Sequence, residues 1–374
     1  MAEVQCQYTI IRNVDDLRAL VEPWRDLLHR VPDHRFFSRP EWHLAWWETV
    51  GVGIDGSMRI VAVWSADVLV GVMPLCLSVT GAAEGRARVL EFSTRSQSDF
   101  HDVIADAGFR PSVLAAAGNA LREIGTEADV IRLAHLPEGF PATDWVVSHL
   151  RGYLARRTHA VLALESDYAK VEGRWRSSHR RDIRRQRKRL EAEGAVSLSV
   201  LADGDDVDAV LAGFFDTHRR KWASTGDERV AHDPVWPLLP AFYARLWTLL
   251  SGTGLVHFSV LRLDGRPVSY HFGFIHNRRF YFYKPAYDPD YENLSPGKVH
   301  VAMLIAAGCD ASWDVFDFLL GDESYKYAWT SEKNFVLSVV SKGGRTSWAP
   351  LRAWWLGRGM MLARDLRARL RGKR

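Results

Sequence analysis

One segment limits the fold more than any other. Residues 255–285, LVHFSVLRLDGRPVSYHFGFIHNRRFYFYKP, alternate apolar and polar side chains over three successive runs. Asp264-Gly265 and Asn277-Arg278 separate the runs. Alternation with period two makes each run a strand. Asp-Gly between two such runs is a strong hairpin signal, because both residues tolerate positive φ. The third run, Arg279 to Lys284, is strongly aromatic and leads through YDPDYENLSPGK into an apolar helix of about residues 298–309. WDVFDFLLG then reads as a buried strand, DESYKYAW as a short helix or turn, and FVLSVVSK as a last strand. A strand, a crossover helix and a further strand after an antiparallel hairpin define a mixed α/β layer.

The first half carries a related figure. Pro40 opens EWHLAWWETVG, where Trp42, Ala45, Trp46 and Thr49 share a helical face and Gly51 is a stop. RIVAVWSADVLVGVMPLCLSV is a hairpin turning near Ala66-Asp67. Each half holds a hairpin with a small residue in its second strand, Gly71 and Gly273. With 374 residues, the repeat points to two related α/β domains joined near 155–175.

Charge and cysteine usage narrow the class. Net charge is only +4, so distribution matters more than total. Cys6, Cys76 and Cys309 have no metal-knuckle spacing, which predicts a reduced, cytosolic chain and no metal site. The start, MAEVQCQYTI, has no signal-peptide pattern. The longest apolar stretch, near 68–79, falls short of the ~20 residues of a membrane helix. Two segments are intensely basic. Residues 174–193, RWRSSHRRDIRRQRKRLEAE, form a helix with too few apolar residues for a broad buried face. Its like charges repel, which favours an anionic partner over plain solvation. Residues 351–374 are basic and amphipathic and offer a contact to an anionic membrane surface.

Several motifs fail on context. Gly51, Gly53 and Gly56 match G-x-G-x-x-G, but a helix precedes and a strand follows, the reverse of a dinucleotide fingerprint. The segment Ser295-Pro296-Gly297-Lys298 lacks the outer positions of a Walker loop, having Glu292 and Val299 there. Its strand–turn–helix placement survives, and such a turn offers free N–H groups and a positive dipole end to an anion. Asp99 and His101 read as a polar cluster at a strand end. Asp314, Asp317, Asp322, Glu323, Tyr325 and Lys326 gather around another strand end, where catalytic groups often sit. Asp317 alternates with apolar neighbours and so points inward, where it needs a partner.

Taken together, the aromatic strand, S-P-G at a helix start, D-F-x-x-G and Y-K in this order resemble GNAT-superfamily acyltransferases of the CelD-like, cellulose-biosynthesis branch. FFSRPEWHLAWWETVG, VLVGVMPL and the Arg-rich helix extend the likeness over nearly all of residues 8–340. A more distant likeness is to FemABX-type aminoacyltransferases. The resemblance implies an α/β (α+β) fold of tandem GNAT-like domains, each a mixed, mostly antiparallel sheet flanked by helices. It divides the chain into 1–165, a structural domain, 166–345, the acyltransferase domain containing the basic helix, and a tail of 346–374.

It further implies acyl-CoA as co-substrate. Pantetheine would lie along the strand from Tyr281 to Ala286, including Tyr283 and Lys284. The pyrophosphate would lie at the turn Ser295, Pro296, Gly297, Lys298 and Val299. The chain departs from the general signature [RQ]-x-x-G-x-[GA] by Leu294 and Val299. Direct attack needs a base, for which Asp317 or Glu323 serves, and an acid for the thiolate, Tyr325, oriented by Lys326. His271 is a reserve base, and a backbone N–H of the 283–286 strand would hold the oxyanion. The acceptor would be a sugar or exopolysaccharide precursor, in the cytoplasm or at the inner face of the membrane. Two other readings stay open: aminoacyl transfer from charged tRNA, with the basic helix on RNA, and a non-catalytic scaffold on a membrane surface.

Overall fold

The computed structural model describes residues 6–80, 86–225 and 235–345. The basic tail of 346–374 lies outside the described residues. The chain forms two compact units. One contains the described residues up to Thr158 together with those from Phe335 on; the other runs from His159 to Asn334. The last strand therefore returns to the first unit, a path that a linear division at 165 and 345 does not express.

In the first unit the sheet order is β1 (Gln7–Ile11), β2 (Gly56–Ser65), β3 (Val68–Thr80), β4 (Ala87–Phe92), β6 (Val130–Pro137) and β13 (Lys333–Lys342). The short β5 (Ile104–Ala105) pairs with β3. All of these pairings are antiparallel except β4 with β6. Helices α1 (Val14–His29), α2 (Pro40–Thr49), α3 (Arg110–Gly125) and α4 (Pro141–His149) flank the sheet. The expected amphipathic α2 is in fact buried on every side: Glu41, His43 and Trp47 are as enclosed as Trp42 and Trp46. Glu41 is admitted to the interior because the Arg25 and Arg39 guanidiniums bond its carboxylate.

β7 (Tyr153–Ala163) carries the chain into the second unit. There the order is β7, β12 (Val315–Leu320), β11 (Arg279–Tyr287), β10 (Arg266–His276), β9 (Val256–Leu263) and β8 (Val196–Val200). The predicted hairpin tips are present. Asp264 and Gly265 have φ of 47° and 78°, and Asn277 and Arg278 have φ of 50° and 54°. Paired left-handed residues match the twist of the strands they join.

Helices α5 (Tyr168–Gly173), α6 (Ser177–Glu193) and α9 (Pro296–Asp310) belong to one core cluster, in which Ile183, Leu304 and Ile305 meet Phe280, Phe282, Phe316 and Phe318. Helices α7 (Val207–Thr225) and α8 (Leu239–Leu250) supply another aromatic layer, where Phe214 and Tyr243 meet Tyr270 and Phe272. Each fully buried Phe contributes roughly 2 kcal/mol. These rings therefore serve as packing groups of the core.

Candidate functional site

β11 and β12 run parallel but pair over three residues alone: Arg279 with Val315, Phe280 with Phe316, and Tyr281 with Asp317. Beyond that point the described ladder stops and the strands fork. The cause on β11 is a bulge. Phe274 pairs with Tyr281 while Phe272 pairs with Lys284, so two residues face Gly273 alone. A Cβ at Gly273 would lie 2.5 Å from the Tyr281 carbonyl, so this close approach admits only glycine. Pro285 follows, a residue without an N–H, tolerated where no partner strand waits for one.

On β12 the cause is local capping. Leu319 has φ of 60°, and its N–H is taken by the Asp317 carboxylate at 2.9 Å. The Lys326 ammonium donates to the Leu319 and Leu320 carbonyls at 3.1 and 2.9 Å. Backbone groups that would have continued a ladder are thus met by side chains.

At the far end of β11 the chain enters a 3-10 turn at Pro289–Leu294, started by the Asp288 side chain accepting from Asp290 N–H. Ser295 then sits in the left-handed region, φ 53° and ψ 46°. Its carbonyl accepts from Lys298 and Val299 N–H, but its hydroxyl makes no cap bond to the helix. Pro296 has no N–H, and that of Gly297 lies too early in α9 for an intrahelical acceptor. Hydroxyl, N–H and helix dipole therefore collect at one end of the fork, a favourable place for a phosphate.

The residues singled out from the sequence divide sharply. Asp317 is fully buried and bonded to Arg279 at 2.9 Å and His159 Nδ1 at 3.0 Å. Lys326, 3% exposed, also pairs with Glu323 at 2.9 Å. Both thus hold the fork in shape. Glu323 and Tyr325 are exposed on the turn beyond β12. Partial burial and the Glu323 carboxylate raise the Tyr325 hydroxyl above its ordinary range. His271 is not at the fork mouth. It is fully buried, stacked on Phe282 with centroids 4.4 Å apart, and burial holds it neutral, well below the usual imidazole range. Enclosed in this way it has no route to an acceptor proton.

Among the expected cofactor residues, Tyr283, Ala286, Pro296 and Val299 are buried. Leu294 and Val299, the two departures from the signature, sit in one core cluster with Leu190 and Leu261. Apolar packing thus occupies positions where the signature has a polar and a small residue. Lys298 turns to Asp182 of α6, 3.1 Å away. Lys284 lies over the Tyr283 ring at 5.0 Å.

Two residues escaped the sequence reading. Lys221 of α7 lies 4.2 Å from the Tyr287 ring centroid, and a Cβ at Gly297 would meet that same ring at 3.2 Å. Burial lowers the Lys221 pKa. His218, one turn earlier, has its ring tilted against that of Trp236, centroids 4.7 Å apart, and is pushed down to about 3 by burial, then by Lys284 and Lys221. The only sequence signal was a His and a Lys three apart in the second half of that helix, FFDTHRRKW.

The first unit repeats the fork. β4 and β6 run parallel over three pairs, Val89 with Val130, Leu90 with Ile131, and Glu91 with Arg132. Here the space is filled by the chain itself. His101 N–H donates to the His135 carbonyl, His101 Nδ1 meets the Ala134 carbonyl, and His135 Nδ1 meets the Ser98 carbonyl, each at 3.0 Å. The Asp99–His101 segment is therefore a plug along the edge of β6.

Residues 177–327 match a family model described as acetyltransferase (GNAT) domain. No curated protein sequence matches the chain. Solved structures share the fold at low identity. FemX is 9% identical, with 91% of this chain and 96% of that one covered and a TM-score of 0.54. The L-PGS from Bacillus licheniformis is 10% identical, with 94% and 97% covered and a TM-score of 0.51. A conserved protein of unknown function from Bacteroides thetaiotaomicron VPI-5482 is 9% identical, with 89% and 100% covered and a TM-score of 0.52. The second unit therefore carries the fold of a GNAT domain, and over both units the chain shares its fold with these solved structures. Among the described residues no helix is long and apolar enough to cross a membrane.

Proposed function

We propose that the second unit transfers an acyl group from acyl-CoA to an amine or hydroxyl acceptor by direct attack. The observation that carries this is the β11–β12 fork ending on the Ser295–Gly297 turn. A fork leaves strand edge groups for a pantetheine chain, and the turn suits its pyrophosphate. On β11 Lys284 and Ala286 turn their N–H groups to β10, and Pro285 between them has none, so of residues 283–286 Tyr283 is the one left with an N–H to offer an oxyanion.

Glu323, the exposed carboxylate of the two candidates, takes the acceptor proton. Tyr325, a phenol that is protonated at neutral pH, returns one to the departing thiolate. Asp317 and Lys326 act as positioning residues for the fork. The self-plugged first unit serves as structural support. The acceptor class follows the CelD-like resemblance, a sugar or exopolysaccharide precursor.

Calorimetric titration with acetyl-CoA and a longer acyl-CoA, on the wild type and Gly297→Glu, tests this. Binding by the wild type that the variant loses is the expected result. Absence of binding to both thioesters overturns the reading and moves the weight to a charged-tRNA donor or a scaffold.

A further inference from the structure

The basic helix α6 is anchored by one narrow edge. Ile183, Gln186 and Leu190 are buried, at i, i+3 and i+7. Ile183 packs in the cluster of Leu304 and Ile305, and Leu190 in that of Leu294 and Val299 at the start of α9. Many of its cations have internal work. Arg180 bonds the Gly173 and Trp175 carbonyls, Arg184 pairs with Glu172 at 2.7 Å, and Arg187 pairs with Glu191 at 2.7 Å.

The outward face differs. Arg181, Arg185 and Arg189, at i, i+4 and i+8, form one exposed stripe, with Lys188 beside it. Two carboxylates border this stripe: Asp182, which bonds Arg185 at 2.7 Å and Lys298 at 3.1 Å, and Glu193, four residues after Arg189. Arg181 and Arg189 have no carboxylate partner among the described residues. Like charges at i, i+4 destabilise a helix, and Asp182 offsets a single charge of the row. The shared carboxylate also ties the stripe to the first turn of α9, where the Gly297 N–H lies.

We propose that this arginine stripe binds a second phosphate group of the acyl donor, the 3′-phosphate of CoA, while its pyrophosphate lies at the Ser295–Gly297 turn. The inference rests on the acyl-CoA reading and assigns α6 to donor selection. Guanidinium groups suit it, since their fork geometry matches phosphate oxygens.

The test compares CoA with dephospho-CoA, which lacks that phosphate, on the wild type and on Arg181→Gln/Arg189→Gln. Both side chains are exposed and outside the core, and an unchanged thermal midpoint verifies folding. The wild type is expected to bind CoA about tenfold more tightly than dephospho-CoA. In the variant that difference disappears, with dephospho-CoA affinity unchanged. Equal wild-type affinities, or equal losses in the variant, overturn the stripe's role and leave the acyl-CoA reading standing. Stripe-dependent binding of a short RNA, with CoA and dephospho-CoA bound alike, also overturns it and assigns the stripe to nucleic acid. If neither CoA nor dephospho-CoA binds, both inferences fall.

Discussion

The Arg279 guanidinium lies 2.9 Å from the Asp317 carboxylate, joining β11 to β12 at the last pairs before the strands separate. The same carboxylate accepts from Leu319 N–H and meets His159, so one buried anion satisfies groups from three strands. Removing its charge leaves Arg279 without its partner in a largely dry place. Breaking a buried pair on one side costs about 3–5 kcal/mol. Asp317→Asn is therefore expected to lower the urea midpoint strongly. Asp317→Asn with wild-type stability and no turnover would instead make Asp317 the base.

Lys326 is expected to act through shape. Its ammonium holds the Leu319 and Leu320 carbonyls, and Lys326→Met leaves both without that donor. Each lost charged hydrogen bond is worth about 1.5–3 kcal/mol. The fork end of β12 should loosen, with faster amide exchange at residues 318–321 and weaker thioester binding. If Lys326 worked in the chemical step, kcat would fall with exchange and affinity unchanged.

Acid should destabilise the second unit before its carboxylates titrate. His300 is enclosed between Ser259 and Ser269 hydroxyls, and burial, then neighbouring His257, pushes it down to about 3. Burial lowers His257 to about 4. In the unfolded chain both bind protons near pH 6.5. Their contribution is therefore complete above that pH and declines as pH falls toward 4. Each should remove on the order of 1–2 kcal/mol between pH 6.5 and 5. Urea unfolding at pH 7 and pH 5 measures the loss, and His300→Gln should flatten the slope. A pH-independent midpoint over that range would mean that neither imidazole is held neutral.

Local chemistry was legible where a few neighbouring residues decide it. Asp264-Gly265 and Asn277-Arg278 announced their turns through the φ values they tolerate. The S-P-G segment announced a helix start, and Asp317 an inward carboxylate. Partners distant in the chain were not legible. His159 meets Asp317 across 158 positions, and no local pattern marks it. Lys221 reaches Tyr287 only because α7 and the end of β11 are brought together. His271 misled because an imidazole on a strand looks alike whether it faces a cleft or, as here, the Phe282 ring. The return of β13 to the first unit depends on strand pairing with β6, which alternation alone does not specify.

Gly297 separates space from charge at the proposed phosphate site. An added Cβ would sit 3.2 Å from Tyr287 Cδ1, close enough to shift the ring by a few tenths of an ångström and no more. The residue is in the first turn of α9 with ordinary helical φ, and there alanine is favoured over glycine by up to about 1 kcal/mol. Gly297→Ala should fold at least as well as the wild type and keep acyl-CoA affinity within about threefold, because the N–H is unchanged. Gly297→Glu should fold comparably, since a carboxylate is favourable at a helix N-terminus, yet lose the ligand through repulsion of its phosphates. Thermal midpoints and titrations of the two variants side by side check this. Loss of binding in both would show that the turn recognises its ligand by close contact at Cα, and retention in both would remove the pyrophosphate from α9.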